Sequence, residues 1–116
     1  MPELNEILQP GSHWGFLGGA FDPPHLGHLA LARTLCDCAE LDGVLFCPTF
    51  APPHKRAPQA TFEQRVEMTR LSVGTDRNFV VTDIERGLPT PSYTVQTIRE
   101  LLRRYPAVRF SILVGG

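Results

Sequence analysis

Apolar residues in this chain arrive in short runs separated by stretches of helical period. Residues 14–18, WGFLG, are an apolar run closed by glycines, and residues 27–40 follow with Leu31, Leu35 and neighbouring alanines at helical spacing. This predicts a strand, a tight loop and a helix. Residues 43–48, GVLFCP, are apolar without interruption up to Pro48, the pattern of a strand buried on both faces. Residues 49–60, TFAPPHKRAPQA, hold three prolines and adjacent basic residues, which excludes regular structure. Thr61 with Gln64 three positions on reads as a capping box that opens a helix from Phe62 to about Val73. NFVVTDI (78–84) reads as a third strand, and ERGLPTPSY (85–93) leads into an amphipathic helix over 94–105 with Val95, Ile98, Leu101 and Leu102 on one side. VRFSILVGG (108–116) is a fourth apolar strand ending in glycines.

Strand and helix thus alternate with short connections, the signature of a parallel sheet covered by helices on both faces. The expected class is α/β, a doubly wound Rossmann-like sheet of about four strands forming one domain over 1–116. Such sheets bind ligands beyond the carboxyl ends of their strands, so chemistry is expected in the loops after the first three. The last strand ends on a glycine turn with no helix after it. The expectation is therefore a sheet truncated after its fourth strand, the N-terminal part of a longer enzyme.

Composition narrows the partners. The 116 residues carry a net charge of −1 with 42% hydrophobic and 20% charged residues, an ordinary globular balance without the basic excess that nucleic acid demands. No run approaches about 18 apolar residues, which argues against a membrane partner. The N-terminus carries acids where a signal peptide would be basic, so a cytoplasmic protein is expected. Cys36, Cys38 and Cys47 are odd in number and expected as reduced thiols. A C-x-C pair on a helix points its sulfurs to different faces, which disfavours a metal site.

The densest chemistry lies in GGAFDPPHLGH, residues 18–28. Gly18 and Gly19 would give the backbone access to positive φ and let a ligand approach without a Cβ in the way. The helix starting near Gly27 turns unpaired N–H groups and partial positive charge on the same spot, which suits phosphate. His25 and His28, three apart in a first helical turn, share one side and can both donate to phosphate oxygens. Zinc would need further ligands, and Asp22 is separated from the pair by two prolines. A plain surface turn leaves the double glycine unexplained. Phosphate chemistry uses all of these residues.

This stretch resembles the H-x-G-H signature of the nucleotidyltransferase superfamily. GGAFDPPHLGHL, VLFCPTFAPPHK, FEQRVEMTRLSV, VTDIERGLPTPSYTVQTIREL and FSILVGG, in this order, resemble the bacterial nicotinate-nucleotide adenylyltransferases over nearly the whole chain from Trp14 to Gly116. The histidine motif alone specifies the superfamily, whereas PPHK (52–55) and PSYT (91–94) make the resemblance specific. It implies adenylyl transfer from ATP, accompanied by Mg2+, to nicotinate mononucleotide, giving deamido-NAD and pyrophosphate by in-line attack without a covalent intermediate. It implies His25 and His28 as catalytic hydrogen-bond donors. Gly18, Gly19, Ala20, Phe21, Gly27, Lys55, Gly115 and Gly116 would bind ATP and its phosphates, and Ser92, Tyr93 and Thr94 the nicotinate substrate, with Arg86 and Leu88 along the approach.

Several positions keep two readings. Lys55 is a phosphate-binding cation or a solvated loop lysine, Asp22 a turn former or a helper of magnesium, and Ser92 or Thr94 a helix cap as well as a ligand contact. Ala20 stands where the family commonly has Thr or Ser, and family members continue past this length with further ATP-site residues. Phosphopantetheine adenylyltransferases share the loop but lack a PSYT counterpart. Class I aminoacyl-tRNA synthetases share the histidine helix start but need a longer chain and a basic surface. A non-catalytic nucleotide-binding module is the alternative from another class.

Overall fold

The computed structural model describes residues 4–52 and 57–113. A one-turn helix α1 (Leu4–Ile7) precedes β1 (His13–Gly19), α2 (Leu26–Cys38), β2 (Gly43–Pro48), α3 (Phe62–Val73), β3 (Phe79–Val81), a 3-10 turn (Ile84–Gly87), α4 (Thr94–Arg104) and β4 (Arg109–Ile112). All strand pairs are parallel and the sheet order is β3-β2-β1-β4. The expected α/β class holds.

Alternation along the strands divides the core between two faces. Leu17, Val44 and Phe46 pack with Ala32 and Cys36 of α2 and Phe62, Val66 and Val73 of α3. Phe16, Leu45 and Cys47 point the other way, onto Leu101 and Ile98 of α4. Every residue of β2 is buried, which is why its sequence shows no polar alternation. α1, which the sequence reading did not anticipate, closes the amino end of the sheet, where Leu4 and Ile7 pack on Leu8, Trp14 and Val108.

α3 begins where its capping box places it. Thr61 Oγ1 accepts from Gln64 N–H at 3.1 Å and Gln64 Oε1 accepts from Thr61 N–H at 2.9 Å. Elsewhere the boundaries differ. The third strand stops at Val81 because Thr82 Oγ1 accepts from Ile84 N–H at 3.2 Å and turns the chain into the 3-10 turn. On α4 the expected apolar side splits: Leu101 is buried, whereas Val95 and Leu102 are 56% and 43% exposed. Among the described residues no helix is long and apolar enough to cross a membrane, and Cys36, Cys38 and Cys47 are free thiols.

Candidate active site

The strand order turns back at β1. α2 leads from β1 to β2 on one side, and α4 returns the chain to β4 on the other. The crevice at such a switch point opens over the carboxyl end of β1, where residues 20–25 lie.

His25 is the N-cap of α2, with extended backbone. Its Nδ1 accepts from Gly27 N–H at 3.0 Å, and its own N–H donates to His28 Nδ1 at 3.0 Å. Both Nδ1 atoms are therefore acceptors, which leaves Nε2–H as the available ring donor of each histidine. The rings stack at 3.8 Å between centroids, and His28 meets Phe21 edge to face at 4.9 Å. Burial, then the charge of His25, lowers the His28 pKa, which keeps this ring neutral at pH 7. The helix cap thus makes two outward donors from two histidines.

The same cap explains the glycine between them. A Cβ on Gly27 would stand 2.8 Å from His25 Cε1 and 2.9 Å from His25 Nδ1. Gly27 is the space that the His25 ring occupies. Its N–H donates to that ring at 3.0 Å.

The positive φ expected at Gly18 and Gly19 falls instead on Phe21, at 51°. The two glycines are part of β1, paired with Cys47 and Pro48, and the turn begins only after them. A non-glycine residue in this region costs roughly 1–2 kcal/mol. Full burial of the Phe21 ring, about 1.5–3 kcal/mol, offsets it. Asp22 resolves as a loop tie: its two carboxylate oxygens accept from Gln59 N–H at 2.8 Å and Ala60 N–H at 3.1 Å.

Two buried charged side chains were missed by the sequence reading. Arg65, 2% exposed, donates from Nη1 to Ala20 O at 2.9 Å and Thr49 O at 2.7 Å, and from Nε to Ala60 O at 3.2 Å. Burial lowers its pKa against the pull of Asp22, Glu85 and Glu63, and the guanidinium remains charged at neutral pH. Glu85, 4% exposed, accepts from Phe50 N–H at 2.9 Å and from Thr97 Oγ1 at 2.8 Å, with Cys47 Sγ at 3.9 Å. Burial, then Glu85, pushes the Cys47 thiol up, so it stays protonated. The signal for Arg65 was its place on the apolar stripe Phe62, Val66, Thr69, Val73: a charge on a core-facing position.

In the loop before α4, Ser92 is buried and its hydroxyl accepts from Ala51 N–H at 2.9 Å, while its N–H donates to Ala51 O at 2.8 Å. The hydroxyl is thus engaged within the protein and does not cap the helix. The N-cap is Tyr93, 40% exposed, with no side-chain cap bond, and Thr94 is the first residue of α4. This corrects the expectation of a Ser92 or Thr94 cap. Arg86 pairs with Asp83 at 2.9 Å and Glu63 at 3.2 Å over the Phe62 ring. Lys55, Gly115 and Gly116 lie outside the described residues.

A four-stranded parallel sheet with helices on both faces and a histidine-capped helix after β1 places the chain among the doubly wound α/β domains, whose ligands bind beyond the carboxyl ends of the strands. The chain belongs to the cytidylyltransferase-like family, whose model matches residues 16–113. Its curated relatives include a protein of Exiguobacterium sibiricum named "Probable nicotinate-nucleotide adenylyltransferase", 45% identical over 102 residues, covering 88% of this chain and 54% of that protein. The Thermus thermophilus protein of the same name is 46% identical over 102 residues with the same coverage. The chain spans about half the length of the curated relatives it matches. Among solved structures, the nicotinic acid mononucleotide adenylyltransferase of Plasmodium falciparum complexed with NaAD superposes with a TM-score of 0.71 at 16% identity. It covers 87% of this chain and 50% of that one, a likeness of fold.

Proposed function

We propose that this chain carries the histidine turn of an enzyme that transfers the adenylyl group of ATP to nicotinate mononucleotide, releasing pyrophosphate and forming deamido-NAD. One observation carries the reading: the reciprocal cap that fixes both histidines with Nε2–H as the free donor. The names of the relatives supply the acceptor.

In this reaction an acceptor phosphate oxygen bonds to the α-phosphorus of ATP as the bond to the bridging oxygen breaks, and pyrophosphate leaves with that electron pair. The acceptor is already an anion and needs no general base. What the protein must supply is alignment and donors for charge on the equatorial and leaving oxygens. Two histidines whose Nδ1 atoms are held as acceptors present Nε2–H as donors, which meets that need. The peptide amides of Ala20 and Phe21, in the turn after β1, would add further donors.

Magnesium enters with the nucleotide, held by phosphate oxygens and water. Among the described residues no group of three or more His, Cys, Asp or Glu side chains could hold a metal, and both Asp22 oxygens are engaged by amides. At the acceptor, the start of α4 at Tyr93–Thr94 would bring helix-terminal amides and an aromatic ring to the nicotinate carboxylate and ring. The contribution of Ser92 is to hold that turn.

The test measures pyrophosphate release from ATP and Mg2+ with nicotinate mononucleotide, nicotinamide mononucleotide or phosphopantetheine as acceptor. Turnover is expected with the first, and His28→Ala is expected to lower it by a factor of about a hundred or more. Preference for phosphopantetheine would move the chain to another adenylyltransferase. ATP binding without turnover on any acceptor would make it a binding module.

A further inference from the structure

We propose that Arg65 and Glu85 are positioning residues: they clamp one peptide unit, Thr49–Phe50, between two buried opposite charges and so set the distance between the nucleotide-binding turn and the acceptor-binding turn. The inference rests on the adenylyl-transfer reading above.

The clamp is defined by its two ends. Thr49 O accepts from Arg65 Nη1 at 2.7 Å, and the N–H of the same peptide unit, that of Phe50, donates to Glu85 Oε1 at 2.9 Å. The carbonyl and N–H of a trans peptide point in opposite directions, so the cation faces the negative end of its dipole and the anion the positive end. Both bonds are charge-assisted, the stronger class. Each side chain also reaches outward. Arg65 Nη1 holds Ala20 O at 2.9 Å, which draws that carbonyl inward and directs the Phe21 N–H away from the guanidinium. The second oxygen of Glu85 accepts from Thr97 Oγ1 at 2.8 Å, on the first turns of α4. Ala51, next along the chain, exchanges two hydrogen bonds with Ser92, at 2.9 and 2.8 Å. The histidine-side turn, the loop after β2 and the start of α4 are thereby one connected unit.

Folding alone does not call for this arrangement. Arg65 and Glu85 are buried without bonding each other, buried charges are costly to desolvate, and Arg65 interrupts an otherwise core-forming stripe. In-line transfer does call for it. Two separately bound substrates react only when oxygen and phosphorus are held about 3–3.5 Å apart, and a misplacement of about 1 Å costs about a hundredfold.

The experiment compares wild type with Arg65→Met, Arg65→Lys, Glu85→Ala and Glu85→Gln in the full chain. It reads kcat by pyrophosphate release, the binding of ATP alone and of nicotinate mononucleotide alone by calorimetry, and folding by circular dichroism. Arg65→Met and Glu85→Ala are expected to lose about a hundredfold in kcat while each single-substrate dissociation constant stays within about threefold. Glu85→Gln keeps an acceptor for Phe50 N–H and is expected to recover to within about tenfold of wild type. Arg65→Lys keeps the charge but not the fork, and is expected to lose about tenfold. If the larger substitutions do not fold, Arg65→Lys decides. Unchanged kcat in folded variants, or dissociation constants that worsen in step with kcat, overturns the clamp with the enzymatic reading intact. A wild type inactive on nicotinate mononucleotide overturns both.

Discussion

In Gly27→Ala the new Cβ would stand 2.8 Å from Cε1 and 2.9 Å from Nδ1 of His25, closer than real Cβ atoms approach. The backbone can stay, so the ring must leave. Its departure breaks the Gly27 N–H bond to Nδ1 and the stack on His28. Losing the cap costs about 1 kcal/mol, and replacing glycine by alanine within a helix returns up to about 1 kcal/mol. Stability is therefore expected to change little, with a melting temperature within about 4 °C of wild type. Catalysis has no such compensation. One preorganised donor is displaced, for an expected loss of about 10²–10³ in kcat. The assay is pyrophosphate release at saturating ATP and nicotinate mononucleotide, run beside thermal melts. A kcat within threefold of wild type would refute the claim that the glycine exists to seat the ring. A melting temperature lowered by more than about 10 °C would show that the ring cannot move and that the residue is mainly structural.

Because the folded state lowers the His28 pKa, the unfolded chain binds a proton first as pH falls below about 6.5. Stability present above that pH is lost as pH falls toward the folded pKa, and protonation at Nδ1 also removes the acceptor for His25 N–H. Urea melts between pH 7.5 and 5.5 should show this slope in wild type and a shallower one in His28→Asn; equal slopes count against it. Thr61→Ala removes the acceptor of Gln64 N–H and is expected to cost about 1 kcal/mol by chemical denaturation; no change would mean that the cap is solvent-compensated. Tyr93→Ala is expected to raise KM for nicotinate mononucleotide while leaving KM for ATP near wild type, and an unchanged acceptor KM would remove Tyr93 from the site.

What could be read from the sequence was what neighbours in sequence decide. The Thr61–Gln64 box, the uninterrupted apolar β2 and the strand–helix alternation are local signals, and α3 and β2 stand where those signals place them. The histidine pair was legible as a feature of the helix start, but not that both rings accept at Nδ1. That depends on His25 being the cap itself and not a residue within the helix. Propensity assigned the left-handed turn to glycine, yet the sheet register keeps Gly18 and Gly19 extended and passes the turn to Phe21. Arg65 and Glu85 escaped because the main-chain groups that call for a charge there, Ala20 O, Thr49 O and Phe50 N–H, lie 16–45 residues away, which no periodicity records.

The stacked imidazoles give the turn a magnetic signature. With centroids 3.8 Å apart, the carbon-bound protons of each ring lie in the ring current of the other. Their resonances should be displaced from that of His13, whose ring sits on Ser111. Proton NMR can then follow each imidazole by itself as ATP is added, reporting an anion docked at Nε2 in the absence of any turnover.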